Sequence, residues 1–178
     1  MIDFFTFVEA VWLMFPAYGA NGLCMIARGK RAIDGGRTFR GKPLFGPGKT
    51  WEGLIAGIIL AITIASFQRL VFPFLPWDLL PVQLDIVPMS SFLGFVIGSG
   101  AMVGDLGGSF VKRRLGIERG KPAPLLDQLD FIIGMFVFLW FVIPLKWEWV
   151  VILLVLTPAV HLIANGIAYL TKIKNVPY

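Results

Sequence analysis

The sequence predicts an all-α integral membrane protein, a bundle of five transmembrane helices forming a single domain over residues 1–178. Of its 178 residues, 57% are hydrophobic and only 15% are charged, and the mean hydropathy is +0.78. Soluble domains are about 25% charged. This composition argues against a soluble globular enzyme and a disordered chain. The single cysteine also excludes a secreted domain held together by disulfides within the chain.

The apolar residues are gathered into stretches of the length that a membrane helix requires, roughly 20 residues. The predicted spans cover about residues 4–27, 53–74, 91–111, 125–145 and 149–170. Between the second and third spans, the segment from Pro73 to Pro88 contains four prolines and two aspartates. We expect this segment to lie at the membrane interface, because prolines break a helix and irregular backbone does not cross lipid.

The positions of Lys and Arg predict the orientation. Seven lie in the loop of about residues 28–52, five in the loop of about 112–124 and two in the C-terminal tail, which is fourteen of the sixteen in the chain. Five spans place these segments on one side of the membrane, and the positive-inside rule makes that side cytoplasmic. We therefore expect a multi-pass cell-membrane protein with its N-terminus outside, its C-terminus in the cytoplasm and two basic cytoplasmic loops.

A carboxylate in the third predicted span is the first candidate for chemistry. Asp105 lies seven residues before Lys112, about 10 Å deeper than the basic end of that helix. A charge at that depth is costly unless it is paired, hydrated or bound to a metal, so Asp105 is a predicted functional residue. Glycines at positions 100, 104 and 108 form a stripe in the same span, which predicts close packing against another helix.

Two more aspartates begin the fourth predicted span. Asp127 and Asp130 are three residues apart and therefore share a helix face. They could compensate the helix dipole, but with Asp105 they place three carboxylates near one membrane boundary. Carboxylate oxygens together with substrate phosphates suit Mg²⁺, and the surrounding Lys and Arg suit a polyphosphate. The sequence therefore predicts a Mg²⁺ site.

The first basic loop ends in Gly48-Lys49-Thr50, directly before the second span. This triplet resembles the end of a P-loop, but that motif requires a glycine where the chain has Pro43, and no strand precedes it. Glycines, a lysine and backbone N–H groups at a helix start can still hold phosphate. A basic loop that binds anionic lipid headgroups is an alternative.

Polar side chains within the first and fifth spans are further candidates. Asn21 lies in the last turns of the first span, where it could reach a ligand at the cytoplasmic face. His161 and Asn165 are four residues apart in the fifth span and share a face. They could form interhelical hydrogen bonds or line an ion path.

Three motifs resemble those of the CTP:phosphatidate cytidylyltransferase family. They are Pro-x-Lys-Thr-Trp-Glu-Gly at 47–53, Gly-Asp-Leu-x-x-Ser-x-x-Lys-Arg at 104–113, and Asp-Gln-Leu-Asp at 127–130, where the family has Asp-Arg-x-Asp. The bacterial and eukaryotic enzymes are longer, and their Lys-Asp and Pro-Gly-His-Gly-Gly elements are missing from this chain. The short five-helix form is similar to the archaeal branch of the family, the CDP-archaeol synthases.

The resemblance implies a CTP-dependent nucleotidyltransferase of membrane phospholipid biosynthesis. Such an enzyme transfers CMP from CTP to 2,3-bis-O-geranylgeranylglycerol 1-phosphate and releases pyrophosphate, with Mg²⁺ as cofactor. Asp105 and Asp127 coincide with the family's metal-binding acids. The expected partners are CTP, a lipid phosphate drawn from the bilayer and the membrane itself, with no nucleic acid polymer and no protein partner.

The remaining candidates receive roles within this scheme. We expect Asp130 to orient a metal-bound water or a second ion, and Lys49, Lys112 and Arg113 to hold the triphosphate or the lipid phosphate. Lys112 is counted with the three aspartates among the catalytic residues. The other predicted substrate contacts are Asn21, Lys42, Thr50 and Ser109. Phe39 could stack on the cytosine.

Other functions remain open on the sequence alone. The chain could act on an ester lipid, bind anionic lipid without catalysis, or be a small transporter whose path includes Asp105, His161 and Asn165. A CDP-alcohol phosphotransferase is excluded, because its motif Asp-Gly-x-x-Ala-Arg is not matched after Asp34-Gly35, where Thr38 and Phe39 follow.

Overall fold

The computed structural model describes residues 2–23, 29–77, 80–119 and 121–170, with the backbone alone for Leu23 and residues 164–170. Within these residues, five α-helices and one short β-hairpin are formed. The elements are α1 (Phe4–Leu23), β1 (Thr38–Phe39), β2 (Lys42–Pro43), α2 (Trp51–Val71), a 3₁₀-helix (Phe72–Phe74), α3 (Ser91–Arg114), α4 (Leu126–Leu139) and α5 (Trp147–Leu170). The all-helical class and the number of helices agree with the prediction.

Within the described residues, two helices are long and apolar enough to cross a membrane. They are α2 together with the 3₁₀-helix that follows it (Trp51–Phe74) and α3 (Ser91–Arg114), while the part Trp147–Ile163 of α5 counts as a shorter apolar helix. Both long helices begin at a hydroxyl cap. The side chain of Thr50 accepts from the N–H of Gly53 at 3.2 Å, and that of Ser90 accepts from the N–H of Leu93 at 3.0 Å. Such caps satisfy backbone donors that a helix start leaves free.

The structure moves the predicted end of the third span. α3 continues to Arg114, so Lys112, Arg113 and Arg114 form its last turn, where cations interact favourably with the helix dipole. The loop predicted to begin at 112 therefore begins at 115. The end of the first predicted span, residues 24–27, and the basic C-terminal tail lie outside the described residues.

α4 is shorter than the predicted span 125–145, since it has 14 residues and ends at Leu139. Its last turn tightens, because the N–H groups of Val142 and Ile143 both donate to the carbonyl of Leu139. Pro144 disfavours helical backbone at the residue before it, so the helix cannot continue. At about 1.5 Å per residue α4 is about 21 Å long.

The glycine stripe of α3 packs against α4, as predicted. A Cβ on Gly104 would overlap the carbonyl oxygen of Asp130, and a Cβ on Gly134 would overlap the carbonyl oxygen of Gly100. Only glycine permits so close an approach of two helix backbones. The stripe therefore fixes where α4 lies along α3, and with it the position of Asp130.

At the end of the bundle where α1 begins, four residues join three parts of the chain. The buried carboxylate of Glu9 accepts from Lys146 Nζ at 2.8 Å, from Trp149 Nε1 at 2.9 Å and from the backbone N–H of Asp85 at 2.7 Å. Lys146 also pairs with the Asp85 carboxylate at 3.0 Å. We call these four residues the Glu9 cluster. It ties α1 to the start of α5 and to the segment before α3.

Candidate active site

The opposite end of the bundle carries the basic loop between α1 and α2, folded around a β-hairpin. β1 and β2 are antiparallel, with Phe39 opposite Lys42, so Arg40 and Gly41 form a two-residue turn. Both have positive φ, 52° and 74°, as the type I′ turn requires. The sequence did not predict this hairpin.

Asp34 organises the rest of that loop. Its buried carboxylate accepts from the backbone N–H groups of Gly36 at 3.0 Å, Phe45 at 3.1 Å and Gly46 at 2.8 Å. Burial by itself raises the pKa of Asp34, but the three N–H donors outweigh burial and lower its pKa below the usual value. The ionised carboxylate therefore brings residues 45–46 back to the start of the loop.

The end of the loop is fixed at the start of α2. The backbone N–H of Ile33 donates to the carbonyl of Lys49 at 2.8 Å, and that of Trp51 donates to the carbonyl of Arg31 at 3.0 Å. Arg31 Nε also pairs with the carboxylate of Glu52 at 2.9 Å. These bonds on both sides of Lys49 set the direction of its side chain.

Two lysine–carboxylate pairs lie at this end of the bundle. Lys49 Nζ contacts both carboxylate oxygens of Asp105, at 2.6 and 2.5 Å. Lys112 Nζ contacts both oxygens of Asp127, at 2.8 and 3.0 Å. The backbone N–H of Ala123 also donates to Asp127 at 2.9 Å. The first pair joins the basic loop to α3, and the second joins α3 to the first turn of α4.

Asp130 lies one turn after Asp127 on α4 and packs against α3 between the turns of Asp105 and Lys112. It is 9% exposed, and one carboxylate oxygen accepts from the N–H of Phe131 at 2.7 Å. Its side chain occupies the space that a Cβ on Gly108 would fill. The carboxylates of Asp105 and Asp127 repel it, and the Lys49 ammonium attracts it. The structure therefore brings the three predicted aspartates and two predicted lysines into one cluster.

The other predicted substrate residues have mixed positions. Ser109 is 8% exposed on α3, and Arg113 follows on the same helix, its Nε buried and without a hydrogen-bond partner among the described residues. Thr50 uses its hydroxyl to cap α2. Lys42 Nζ donates to the carbonyl of Arg114 at 3.1 Å, so in this structure it binds protein. Asn21 is half-buried in α1.

Phe39 and His161 both lie against other side chains. The guanidinium groups of Arg40 and Arg114 lie 5.5 and 5.4 Å from the centre of the Phe39 ring, and the ring predicted to stack on cytosine is 47% exposed. The ring of His161 lies 6.3 Å from that of Tyr18 and 6.2 Å from that of Phe131. This is an interhelical contact, and the side chain of its predicted companion Asn165 lies outside the described residues.

Comparison with known proteins identifies the family. A family model described as CarS-like, CDP-archaeol synthase, matches residues 1–178. The CDP-archaeol synthase of Methanocaldococcus jannaschii is 43% identical over 171 residues, covering 94% of each chain. That of Halobacterium salinarum is 40% identical over 182 residues and covers 97% of each. The chain belongs to the CDP-archaeol synthase family.

A solved structure supports this assignment. A protein described as an intramembrane enzyme for archaeal membrane lipid biosynthesis superposes with a TM-score of 0.75 at 37% identity, covering 89% of this chain and 93% of the other. Membership of the CDP-archaeol synthase family makes the chain a membrane-embedded cytidylyltransferase of archaeal lipid biosynthesis that acts on a lipid phosphate. The transporter and the non-catalytic lipid-binding protein are thereby excluded.

Some residues that shape the site were not singled out from the sequence. Asp34 had a local signal, because an aspartate followed by two glycines is typical of a turn in which the carboxylate binds backbone N–H groups. Arg31 and Arg114 had none, and Glu52 was noted only as part of the 47–53 motif. Their partners lie 21 residues or more away along the chain, and a run of basic residues does not reveal which of its members will bind protein.

The predicted Mg²⁺ ligands are not gathered into a ready-made metal site. Among the described residues, no three His, Cys, Asp or Glu side chains are arranged so that they could hold one metal ion. Asp105 and Asp127 each face a lysine. Their oxygens are nevertheless the ligand type that Mg²⁺ prefers, and the repulsion that Asp130 experiences from both is the kind that a cation relieves. The residue types therefore suit a hard divalent cation, although among the described residues the aspartates do not form a ready-made site for one.

Proposed function

We propose that this chain catalyses Mg²⁺-dependent transfer of CMP from CTP to 2,3-bis-O-geranylgeranylglycerol 1-phosphate, giving CDP-archaeol and pyrophosphate. One observation carries the proposal. Lys49–Asp105 joins the basic loop to α3, and Lys112–Asp127 joins α3 to the first turn of α4, with Asp130 one turn further along α4. This arrangement supplies both cations for phosphates and carboxylates for a metal, in a member of the family whose relatives carry the name of that reaction.

The reaction requires positioning and charge neutralisation more than covalent catalysis. An oxygen of the lipid phosphate attacks the α-phosphorus of CTP, and a new P–O bond forms. The bond from the α-phosphorus to the oxygen that bridges it to the β-phosphorus breaks, and its electron pair leaves with pyrophosphate. Both reactants are strongly anionic, so the site must first overcome their mutual repulsion.

Asp105 and Asp127 are the residues that would hold Mg²⁺, with Asp130 orienting its water or a second ion. When bound, Mg²⁺ would neutralise phosphate oxygens and stabilise the departing pyrophosphate. Lys49 and Lys112 would then be available to bind the phosphates. Both side chains can move, because lysine is a flexible point charge, and Lys49 is 28% exposed.

The remaining residues bind around this centre. Arg113 follows Lys112 on α3, and its guanidinium is free to add a bidentate contact to a phosphate. Ser109 lies one helical turn before it and could donate a hydroxyl. Thr50 and Lys42 contribute through the loop they stabilise, and Asn21 approaches from α1.

We further propose that the helices cross the cell membrane five times with the N-terminus outside. The loop of residues 29–50 and the junction of α3 and α4 then face the cytoplasm, where CTP is dissolved. The lipid phosphate enters sideways from the bilayer, with its tails remaining in lipid. Asp127 and Asp130 lie in the first turns of α4, which would place them near the membrane surface, where both substrates can reach them.

A substrate assay tests the proposed reaction. The purified protein in lipid nanodiscs is incubated with α-labelled CTP, Mg²⁺ and either the ether-linked phosphate or an ester-linked phosphatidate. We expect a labelled CDP-lipid and pyrophosphate in equal amounts with the ether lipid, and no product after divalent ions are chelated. Faster turnover of phosphatidate would replace the proposed acceptor, and turnover that survives chelation would contradict the role of the metal.

A further inference from the structure

Arg114, the last residue of α3, binds the hairpin of the basic loop. Its Nη1 donates to the carbonyl of Phe39 at 2.9 Å, and its Nη2 donates to the carbonyl of Lys42 at 3.1 Å and to that of Pro43. The planar guanidinium lies over the rings of Phe39 and Phe110, at 5.4 and 4.7 Å from their centres. One side chain thus holds both strands of the hairpin against the end of α3.

The hairpin returns a bond to the same residue. Lys42 Nζ donates to the backbone carbonyl of Arg114 at 3.1 Å. That carbonyl lies at the C-terminus of α3, where helix carbonyls lack partners within the helix and attract cations. The contact is therefore reciprocal, with each element satisfying backbone groups of the other.

The hairpin leads directly to a predicted catalytic pair. After β2 the chain continues to Phe45 and Gly46, whose N–H groups bind Asp34, and then to Lys49, which pairs with Asp105 on α3. The loop is therefore attached to α3 at two points, Asp105 and Arg114. These residues are nine apart, about 13 Å along the helix.

We propose that Arg114 is a positioning residue, which docks the 38–43 hairpin on α3 and thereby sets the place of Lys49 over the nucleotide site. This role rests on the proposed cytidylyl transfer. Arg114 acts through the loop, since its donors are directed at carbonyls of the chain itself. An arginine is required because only its rigid fork can reach several carbonyls while stacking on two rings, which a lysine cannot do.

Two variants of Arg114 and one control test the proposal. Arg114→Met removes the guanidinium, and Arg114→Lys keeps the charge without the fork. Arg40→Met is the control, because Arg40 lies over the same Phe39 ring at 5.5 Å but is exposed. Hydrogen–deuterium exchange of residues 37–45 in nanodiscs, without substrate, reports docking. Steady-state kinetics, with the concentrations of CTP and lipid phosphate varied separately, give the KM for each substrate.

We expect both Arg114 variants to exchange residues 37–45 about tenfold faster, as the loss of hydrogen bonds from a charged donor implies. The KM for CTP should rise about tenfold in both, while the KM for the lipid and the thermal midpoint change little, because the helices are held elsewhere. Arg40→Met should match the wild type in every measurement.

Several results would overturn the proposal. Unchanged exchange in Arg114→Met would mean that the guanidinium does not dock the hairpin. Wild-type exchange and a wild-type KM for CTP in Arg114→Lys would mean that a positive charge alone is enough to dock the hairpin. If Arg114→Met fails to fold, Arg114→Lys decides, since it retains length and charge. A wild type that makes no CDP-lipid would overturn the proposed reaction, while the exchange measurement would still test docking.

Discussion

The two ends of the bundle both contain lysine–carboxylate pairs with nearly equal distances, yet their surroundings differ. In the Glu9 cluster, the pair from Lys146 to Glu9 measures 2.8 Å, and the pair from Lys112 to Asp127 at the other end also measures 2.8 Å. The Glu9 carboxylate, however, also accepts hydrogen bonds from the Trp149 indole and from a backbone N–H. The length of an ion pair therefore does not distinguish a structural site from a catalytic one.

The number of fixed donors makes the distinction. Besides a lysine, Glu9 has two, Asp127 has one in a backbone N–H, and Asp105 has none among the described residues. Glu9 has rigid donors from an indole and a backbone amide, and these cannot move to a substrate. Asp105 has the flexible ammonium of Lys49, and Asp105 and Asp127 both repel Asp130. A carboxylate cluster with mobile counter-ions can accept a cation and release its lysines. We therefore assign structure to the Glu9 cluster and chemistry to the end that contains Asp105.

The largest expected effect is that of Asp105→Asn. The variant keeps the shape of the side chain and removes its charge, so the site should lose the stabilisation of developing phosphate charge. Turnover should fall by about 100- to 1,000-fold, as for the removal of one preorganised electrostatic group. The thermal midpoint should change little, because Lys49 can turn to water. Rates of CDP-lipid formation and unfolding curves provide the check.

Glu118→Gln is the matched control for Asp105→Asn. Glu118 is an exposed carboxylate in the loop between α3 and α4, so its loss should leave both turnover and stability unchanged. Equal turnover in Asp105→Asn and the wild type would remove Asp105 from the mechanism. A large fall in stability would place it with Glu9 as a structural charge.

Glu9→Gln should produce the opposite result, a loss of stability with little loss of activity. Breaking a buried ion pair costs about 3–5 kcal/mol, and we expect about 2 kcal/mol here, because the Lys146 side chain is 34% exposed and partly solvated. Unfolding by denaturant measures the loss. At temperatures where the variant remains folded, turnover should stay within about twofold of the wild type, because the two ends are distant. Lost turnover with unchanged stability would reverse the assignment.

Gly108→Ala tests how α3 holds Asp130. An added methyl group would overlap the Asp130 carboxylate, so the carboxylate must move, and overpacking of this kind costs about 1–3 kcal/mol. We expect a fall in turnover larger than the loss of stability would explain. Gly107→Ala is the control, since a Cβ there meets nothing within 4 Å and should add up to about 1 kcal/mol of helix stability. Equal behaviour of the two variants would mean that Asp130 is not held by this contact.

Local patterns in the sequence predicted the helices and much of the cluster. Hydropathy and helical periodicity are properties of neighbouring residues, and they gave five helices and the face shared by Asp127 and Asp130. The glycine stripe predicted the contact that places Asp130 against α3. The lysines were predicted as phosphate ligands from their residue types. Their pairing with Asp105 and Asp127 was not, because nothing local indicates which acid a lysine will face.

Long-range contacts account for what the sequence did not predict. The carbonyls that Arg114 binds lie 71 to 75 residues away, and its neighbour Arg113 has the same residue type without those contacts. The hairpin turn has an arginine where glycine or asparagine is typical, so its signal was weak. The short α4 depends on Pro144, whose position was visible, but residues 131–145 are apolar throughout and favoured a longer span.

The smallest expected effects are two opposite pH dependences, one at each end of the bundle. The pKa of Asp34 is lowered, because N–H donors outweigh its burial, so its contribution to stability is present above its unfolded pKa and is lost as the pH falls through the folded value. Burial by itself lowers the pKa of Lys146, but its bonds to Glu9 and Asp85 have a larger, opposite effect, so its pKa is raised above the usual value. Its contribution is therefore lost only as the pH rises above the usual range for lysine.

Variants separate these two contributions from the general effect of pH. The difference in unfolding free energy between the wild type and Asp34→Asn should be about 1 kcal/mol at neutral pH, as for a net hydrogen bond. It should shrink as the pH is lowered below about 4, where an ordinary aspartate begins to be protonated. The difference for Lys146→Met should shrink only at high pH, above the usual range for lysine. A difference for Asp34 that grows in acid would mean that its carboxylate is already protonated in the fold, and the three N–H donors would then not be what holds the loop.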